Sequence, residues 1–225
     1  MPKENLDYRV LTDIDFAYVY APVAWGTIWA LLSGSLSSPG RYDQIEPKQL
    51  SPVKKALAQV MAFTHTQVLR PEKPKAVAAL QVLKAQFEQA QLQAQFGVLS
   101  GRTPETHKMT RKLLDPRIGT LFSPDLIFLN PGFKSAEFKI KTIVELVRQG
   151  LRVLMIEDDF KTGWQLTTHP DIPRDMLDVY LIKNLSTSRA LRYHSIYDNT
   201  ALPWNLHIMP SHEAIKNDIA LHYLP

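Results

Sequence analysis

Four short stretches of this 225-residue sequence hold acidic, hydroxyl and basic side chains of the types that act together on an anion. Asp13-Ile14-Asp15 closes an apolar run that begins at Tyr8. Carboxylates two positions apart lie on the same side of an extended chain, so this pair can share one cation. Ser100-Gly101-Arg102 ends another run with a hydroxyl, a permissive backbone with accessible N–H groups, and a guanidinium. That corner suits phosphate. Lys139 precedes Ile143 by one helical turn, in a segment where Ile140, Ile143, Val144 and Val147 mark an apolar stripe. It therefore belongs to the inward face, where its amine can reach strand ends, whereas Lys141 aligns with Glu145 and Arg148 on the wet face. Glu157-Asp158-Asp159 closes a further run with a carboxylate cluster suited to a hard divalent ion such as Mg²⁺.

These residues need elements to hold them. The runs YRVLTDID, FGVLSG, LIFLN, LRVLMIEDD and DVYLIKN read as strands, with NLHIM as a sixth. The first four end in polar or small residues, as strands of a parallel sheet do when they deliver side chains to a site at their carboxyl ends. Ser51-Pro52 opens a helix over 52–63, and a second runs from Pro74 to Gln93 with Val77, Leu80, Leu83 and Phe87 on one face. Thr103-Pro104 begins a third, and Ser135 caps a fourth that ends at Gly150. Strand and helix alternate from Phe96 onward, which predicts a right-handed parallel α/β sheet. The interval between the first two strands is too long for one crossover. The predicted organisation is thus a core of residues 1–15 and 95–225, with 16–94 as a flap and helical cap-like insertion. Beyond Trp164 the sequence offers a proline-rich connection and two short strands, and no recognisable chemistry.

Composition sets limits on the chemistry. Cysteine is absent, so disulfides, thiolate metal sites and cysteine nucleophiles are excluded, and a reducing cytoplasm is the natural compartment. The net charge of +4 is mild, but its distribution is uneven. Five basic and two acidic residues lie between Arg102 and Arg117, and again between Lys134 and Arg152, which favours an anionic ligand. The N-terminal residues carry no basic leader followed by an apolar core. Residues 16–40 are uncharged, but Pro22, Gly26 and the Tyr and Trp residues among them point to a buried flap and not to a membrane span. The histidines are scattered without metal-ligand spacing, and none is assigned a role.

In order and type, Asp13-x-Asp15, Ser100, Lys139 and Glu157-Asp158-Asp159 resemble the four motifs of the haloacid dehalogenase (HAD) superfamily, over residues 8 to about 160. Within it, the LSGR segment, the Phe138-Lys139 pair and the IEDD strand end are similar to the Swiss Army Knife RNA repair-like branch. The resemblance implies a HAD-like Rossmannoid parallel sheet with helices on both faces and a helical insertion after the first strand. It also implies a Mg²⁺-dependent phosphohydrolase. Asp13 would form an aspartyl-phosphate, and Asp15 would serve as general acid and base. Ser100, Gly101, Arg102 and Lys139 would bind the phosphoryl group, while Asp13, the Asp15 backbone carbonyl and Asp158, preferred to Asp159, would hold the metal. The implied substrate is a phosphorylated small molecule or a nucleic-acid end. Two positions depart from the family pattern: Phe16-Ala17 replaces the usual Gly and Thr or Val, and Glu157 stands where glycine is common. The first keeps open a phosphate- or nucleic-acid-binding module with little catalysis. A third reading is a scaffold that meets partners through residues 16–40.

Overall fold

The computed structural model describes residues 7–14, 72–102, 104, 107–184, 187, 188, 190–192, 194 and 201–224. Six strands form one parallel sheet: β1 (Tyr8–Thr12), β2 (Ala94–Ser100), β3 (Ile127–Leu129), β4 (Arg152–Glu157), β5 (Leu177–Ile182) and β6 (Leu206–Met209). Their spatial order is β3-β2-β1-β4-β5-β6. The chain therefore winds outward in one direction from β1 to β3, then returns to the other side of β1 for β4. The crevice at this reversal, outside the carboxyl ends of β1, β2 and β4, is where parallel sheets place ligands.

Helices cover both faces, as expected from strands whose side chains are buried on alternating sides. On one face, Tyr8, Val10, Phe96, Val98, Leu154, Ile156 and Tyr180 pack against α1 (Pro74–Gln89) and α5 (His212–Tyr223). Leu114 of α2 (His107–Leu114) closes the same layer. On the other face, Leu11, Leu99, Val153, Met155, Val179 and Leu181 pack against α3 (Ser135–Arg148) and α4 (Phe160–Thr167). All six expected strands are present.

Several expectations change in detail. Helix α1 carries the predicted stripe, but Val77, Leu80, Leu83 and Phe87 are buried against the sheet. Residues 74–89, assigned above to the insertion, thus form part of the layered core, with Tyr8 and Phe96 in ring contact with Phe87. The expected helix over 52–63 and the flap over 16–40 lie outside the described residues. The third helix is described over His107–Leu114, and Pro104 ahead of it is in a 3-10 turn. Ser135 is the first helical residue of α3, and Lys134 occupies the cap position. The stop at Gly150 is observed, with φ +78, a conformation that costs glycine little. Helices α4 and α5 appear where only strands and connections were expected. Asp159 caps the first through Thr162 N at 2.8 Å, and Ser211 caps the second through Ala214 N at 3.2 Å. Among the described residues, no helix is long and apolar enough to cross a membrane.

At the opposite end of the sheet from the crevice, a polar knot ties α5 to the strands. Asp178, 1 % exposed, accepts from His207 Nε2 at 2.8 Å and from Arg152 Nη2 at 3.3 Å, and also from the Tyr223 hydroxyl. Burial pushes the Asp178 carboxyl up, but the His207 and Tyr223 hydrogen bonds and the neighbouring Arg152 outweigh it and hold the group below its ordinary value of 3.8. Its contribution to stability is accordingly complete above about pH 4 and fades as the pH falls through the lower native value. Asp178→Ala should cost ~3 kcal/mol in urea unfolding at pH 7, because it leaves Arg152 and buried donors without their acceptor. The loss should shrink near pH 2, and an equal loss at both pH values would refute the assignment.

Candidate active site

Asp13 follows the last residue of the central strand and continues its ladder, donating N–H to Ile156 O at 2.9 Å. Leu11 and Asp13 share a face by strand alternation, so the carboxylate emerges on the side covered by α3. Helix α3 is seated there by Phe138, Ile143, Val144, Leu146 and Val147. Its inward first turn brings the Lys139 amine under the sheet edge, 3 % exposed, as the spacing to Ile143 predicted. The amine lies 3.1 Å from Asp13 Oδ1 and 2.6 Å from Glu157 Oε2.

Glu157, the last residue of β4, is fully buried. One carboxylate oxygen takes the Lys139 hydrogen bond, and the other accepts from the backbone N–H groups of Asp158 at 3.1 Å and Asp159 at 3.3 Å. It therefore shapes the acidic turn as well as pairing with the lysine. Ligand oxygens of Asp13, Glu157 and Asp158 all lie within 4.8 Å of one another. Three hard oxygen donors at that separation fit a small divalent cation such as Mg²⁺.

The two aspartates after Glu157 have separate tasks. Asp159 Oδ2 accepts from Thr162 N at 2.8 Å and Thr162 Oγ1 at 2.6 Å, so it is committed to the N-terminus of α4. Asp158 faces the carboxylate cluster, and burial, with Glu157 and Asp13 beside it, raises its carboxyl well above the usual range. Burial pulls the Lys139 amine down, but Asp13 and Glu157 together override this and hold it protonated.

Asn184, just beyond β5, donates to Asp158 Oδ2 at 3.4 Å. Thr187, fully buried, donates to the Asp158 carbonyl at 2.8 Å, and its own N–H is held by Asn184 Oδ1 at 2.8 Å. The part of the chain beyond Trp164 thus supports the site, which the sequence reading missed. An Asn-x-x-Thr pattern directly after an apolar strand is the local signal.

Ser100, Gly101 and Arg102 occupy the same sheet edge on the neighbouring strand. Ser100 is fully buried, and its Oγ accepts from Arg102 N at 3.3 Å. A Cβ at position 101 would lie 1.8 Å from Ser135 Oγ, so only glycine lets the loop meet the start of α3. The Arg102 guanidinium donates to Thr110 on α2 at 3.1 Å. Asn130, another buried residue that the sequence reading did not single out, ties this corner together. Its side chain donates to Gly101 O and Phe133 O and accepts from Gly132 N and Phe133 N, at 2.7–3.2 Å. Asp15 lies outside the described residues.

The fold is that of HAD-like hydrolases. A haloacid dehalogenase-like hydrolase from Streptococcus pneumoniae superposes with TM-score 0.55 at 12 % identity, covering 95 % of this chain and 98 % of that one. A HAD family hydrolase from Deinococcus radiodurans, solved with bound phosphate and sodium, gives TM-score 0.53 at 14 % identity over 96 % of each chain. L-2-haloacid dehalogenase from Xanthobacter autotrophicus gives TM-score 0.50 at 11 % identity over 97 % and 100 %. No protein-family model matches the sequence, and no curated protein is significantly similar to it.

The division of labour between the two aspartates is testable. Asp159→Ala should lower stability by ~1 kcal/mol through loss of the helix cap and leave Mg²⁺ affinity unchanged. Asp158→Asn should leave stability unchanged or raised, because it removes a carboxylate crowded by Glu157 and Asp13, and should weaken Mg²⁺ binding about tenfold or more by calorimetric titration. The reverse pattern would make Asp159 the ligand.

Proposed function

We propose that the protein is a phosphohydrolase that transfers the phosphoryl group of a phosphomonoester to Asp13 and then to water. The observation that carries this reading is the meeting of Asp13 with the buried Lys139 amine at 3.1 Å and with the Asp158 carboxylate, at the crevice where the sheet order reverses. A phosphate dianion is repelled by bare carboxylates, so a nucleophilic aspartate requires fixed positive charge beside it. The Lys139 ammonium supplies part of that charge. A divalent cation held by Asp13, Asp158 and the Asp15 backbone carbonyl would supply the rest by neutralising phosphoryl oxygens. The phosphate bound in the Deinococcus structure supports a phosphoryl ligand for this fold. The dehalogenase neighbour shows that the same scaffold is used for another displacement. Carbon–halogen cleavage has no need of a cation among three carboxylates, so the cluster favours phosphate.

In the first step a carboxylate oxygen of Asp13 bonds to phosphorus as the ester O–P bond breaks. The leaving oxygen takes its proton from Asp15. In the second step a water oxygen attacks the phosphorus of the aspartyl-phosphate and gives its proton back to Asp15. The Asp13 carboxylate is thereby regenerated and inorganic phosphate is released. Buried Ser100 and the N–H groups of the Gly101 loop line the edge next to the nucleophile and are assigned to the phosphoryl oxygens. Arg102 at the β2 edge and Lys134 at the start of α3 suit a polyanionic leaving group such as a nucleic-acid end, whereas Arg152 is spent on Asp178 at the far end of the sheet.

With Mg²⁺ present, the purified protein should release inorganic phosphate from p-nitrophenyl phosphate or a 5′- or 3′-phosphorylated oligonucleotide, and chelation should stop it. Asp13→Asn should reduce the rate by roughly a thousandfold or more, since nothing else can form the covalent intermediate. Undiminished turnover in that variant would rule the mechanism out. Salt-sensitive oligonucleotide binding that survives Asp13→Asn, without phosphate release from any substrate, would instead make the protein a nucleic-acid-binding module.

A further inference from the structure

Phe133, at the rim of the site, has no part in the proposed chemistry. It is 52 % exposed, and a single exposed apolar side chain is by itself ordinary. Its place and its support set it apart. The other exposed large apolar side chains of the described residues lie away from the crevice: Leu202 and Trp204 precede β6, Leu221 is near the end of α5, and Val82 is in the middle of α1. Phe133 instead follows β3 at the carboxyl edge. The Asn130 side-chain nitrogen donates both to Phe133 O at 2.7 Å and to Gly101 O at 3.2 Å, so the aromatic residue adjoins the loop assigned to phosphate.

The backbone that carries the ring is ordered from both sides. Asn130 Oδ1 accepts from Phe133 N at 2.8 Å, so one buried side chain holds both backbone polar groups of an exposed residue. Gly132 has φ +123 and nothing within 4 Å of a Cβ, so glycine there answers a backbone demand and not a lack of room. Ordering of this kind lowers the entropy that a ligand must remove in order to use the ring. The charge beside the ring is positive. Lys141 Nζ lies 5.5 Å from the ring centre, and the Lys134 side chain, 79 % exposed, is 3.5 Å from Glu137. A π face bordered by ammonium groups and set next to a phosphate corner matches a base joined to phosphate. A bare sugar would call for carboxylate or amide partners to its hydroxyls, whereas Glu137 beside this ring is paired with a lysine.

We propose that Phe133 is a stacking platform for a nucleobase, so that the phosphoester presented to Asp13 belongs to a nucleotide, with Lys134 and Lys141 placed for its further phosphates. The proposal rests on the phosphohydrolase reading for the reaction, but stacking does not depend on turnover. Its test uses short single strands whose terminal phosphate, at the 5′ or the 3′ end, is carried by a 2-aminopurine nucleotide or by an abasic one. They are bound to the full chain bearing Asp13→Asn, with Mg²⁺, so that hydrolysis does not compete. Stacking on the ring should quench the 2-aminopurine fluorescence at one of the two ends. Adding Phe133→Ala should abolish the quench and weaken binding of that strand about tenfold, the lower end of what one stacked base contributes. Binding of the abasic strand should change less than about twofold. Phe133→Trp should keep quench and affinity, and Phe133→Leu, apolar but without a π face, should lose both.

Every variant is first checked for cooperative thermal unfolding, and if Phe133→Ala does not fold, the Trp and Leu variants decide. Absence of quenching at both ends, unchanged binding in folded Phe133→Ala, an equal loss with base-bearing and abasic strands, or a Leu variant that behaves as the original each overturns the proposal. A nucleoside monophosphate that shows the same Phe133 dependence and binds as tightly as the strand assigns the platform to free nucleotides. Tighter, salt-sensitive binding of the strand assigns it to chain ends, and either result upholds it. Quenching that depends on Phe133, with no phosphate release by the protein with Asp13 intact, would sink the hydrolase reading and leave the platform standing. Release from base-bearing substrates at rates indifferent to Phe133 would do the reverse.

Discussion

Two carboxylates can be buried at one sheet edge here, with a third half-buried beside them, because an ammonium is buried among them. Asp13 is 7 % exposed, Glu157 fully buried and Lys139 3 % exposed, so neither sign of charge has water to screen it. Each alone would be pushed strongly toward its neutral form, and removing either partner would strand the other. Together they fix geometry. The lysine must come from the first turn of α3, which demands that α3 pack on the face beneath β1. The carboxylates must come from the ends of β1 and β4, which demands that those strands be neighbours, as the sheet order makes them.

The same constraint explains why polar residues away from the cluster are so fully engaged. Asp158 can face the cluster only if its backbone is held, and Thr187, Asn184 and the Glu157 carboxylate all bond to it. Gly101 brings the β2 edge against Ser135 at the start of α3, and Asn130 holds its carbonyl from the neighbouring loop. Loops at the carboxyl edge are thus held by side-chain hydrogen bonds, where strands and helices rely on apolar packing. The Asp178 knot at the far end plays no part in this edge, but it anchors α5 against the layer that carries β1.

What was legible in the sequence was whatever a local period encodes. Unbroken apolar runs revealed the six strands, and the four-residue step from Lys139 to Ile143 placed the lysine indoors. The Asp159-to-Thr162 cap was also locally readable, as an Asp three positions before a Thr at a helix start, and would have separated Asp158 from Asp159. Periodicity says which face of α1 is apolar but not what covers it. Its stripe therefore read equally as a cap helix, although Phe87 lies against Tyr8 and Phe96. The Asn184-to-Thr187 bond is local and carries a readable signal, but Asn130 to Gly101 and Thr187 to Asp158 span 29 positions each, and nothing in their neighbourhood announces those partners.

Glu157 shows the limit of reading residue types against a family pattern. Seen in sequence, it is one more acid in an acidic strand end and a natural metal ligand. In the structure its nearest charge is a lysine 18 positions earlier, and its other oxygen is spent on two backbone N–H groups. An acid in that position shares with Asp13 the ammonium that the helix brings in. The Lys139 ammonium is divided between Asp13 and Glu157, and the two carboxylates hold it at the edge where the strand order reverses.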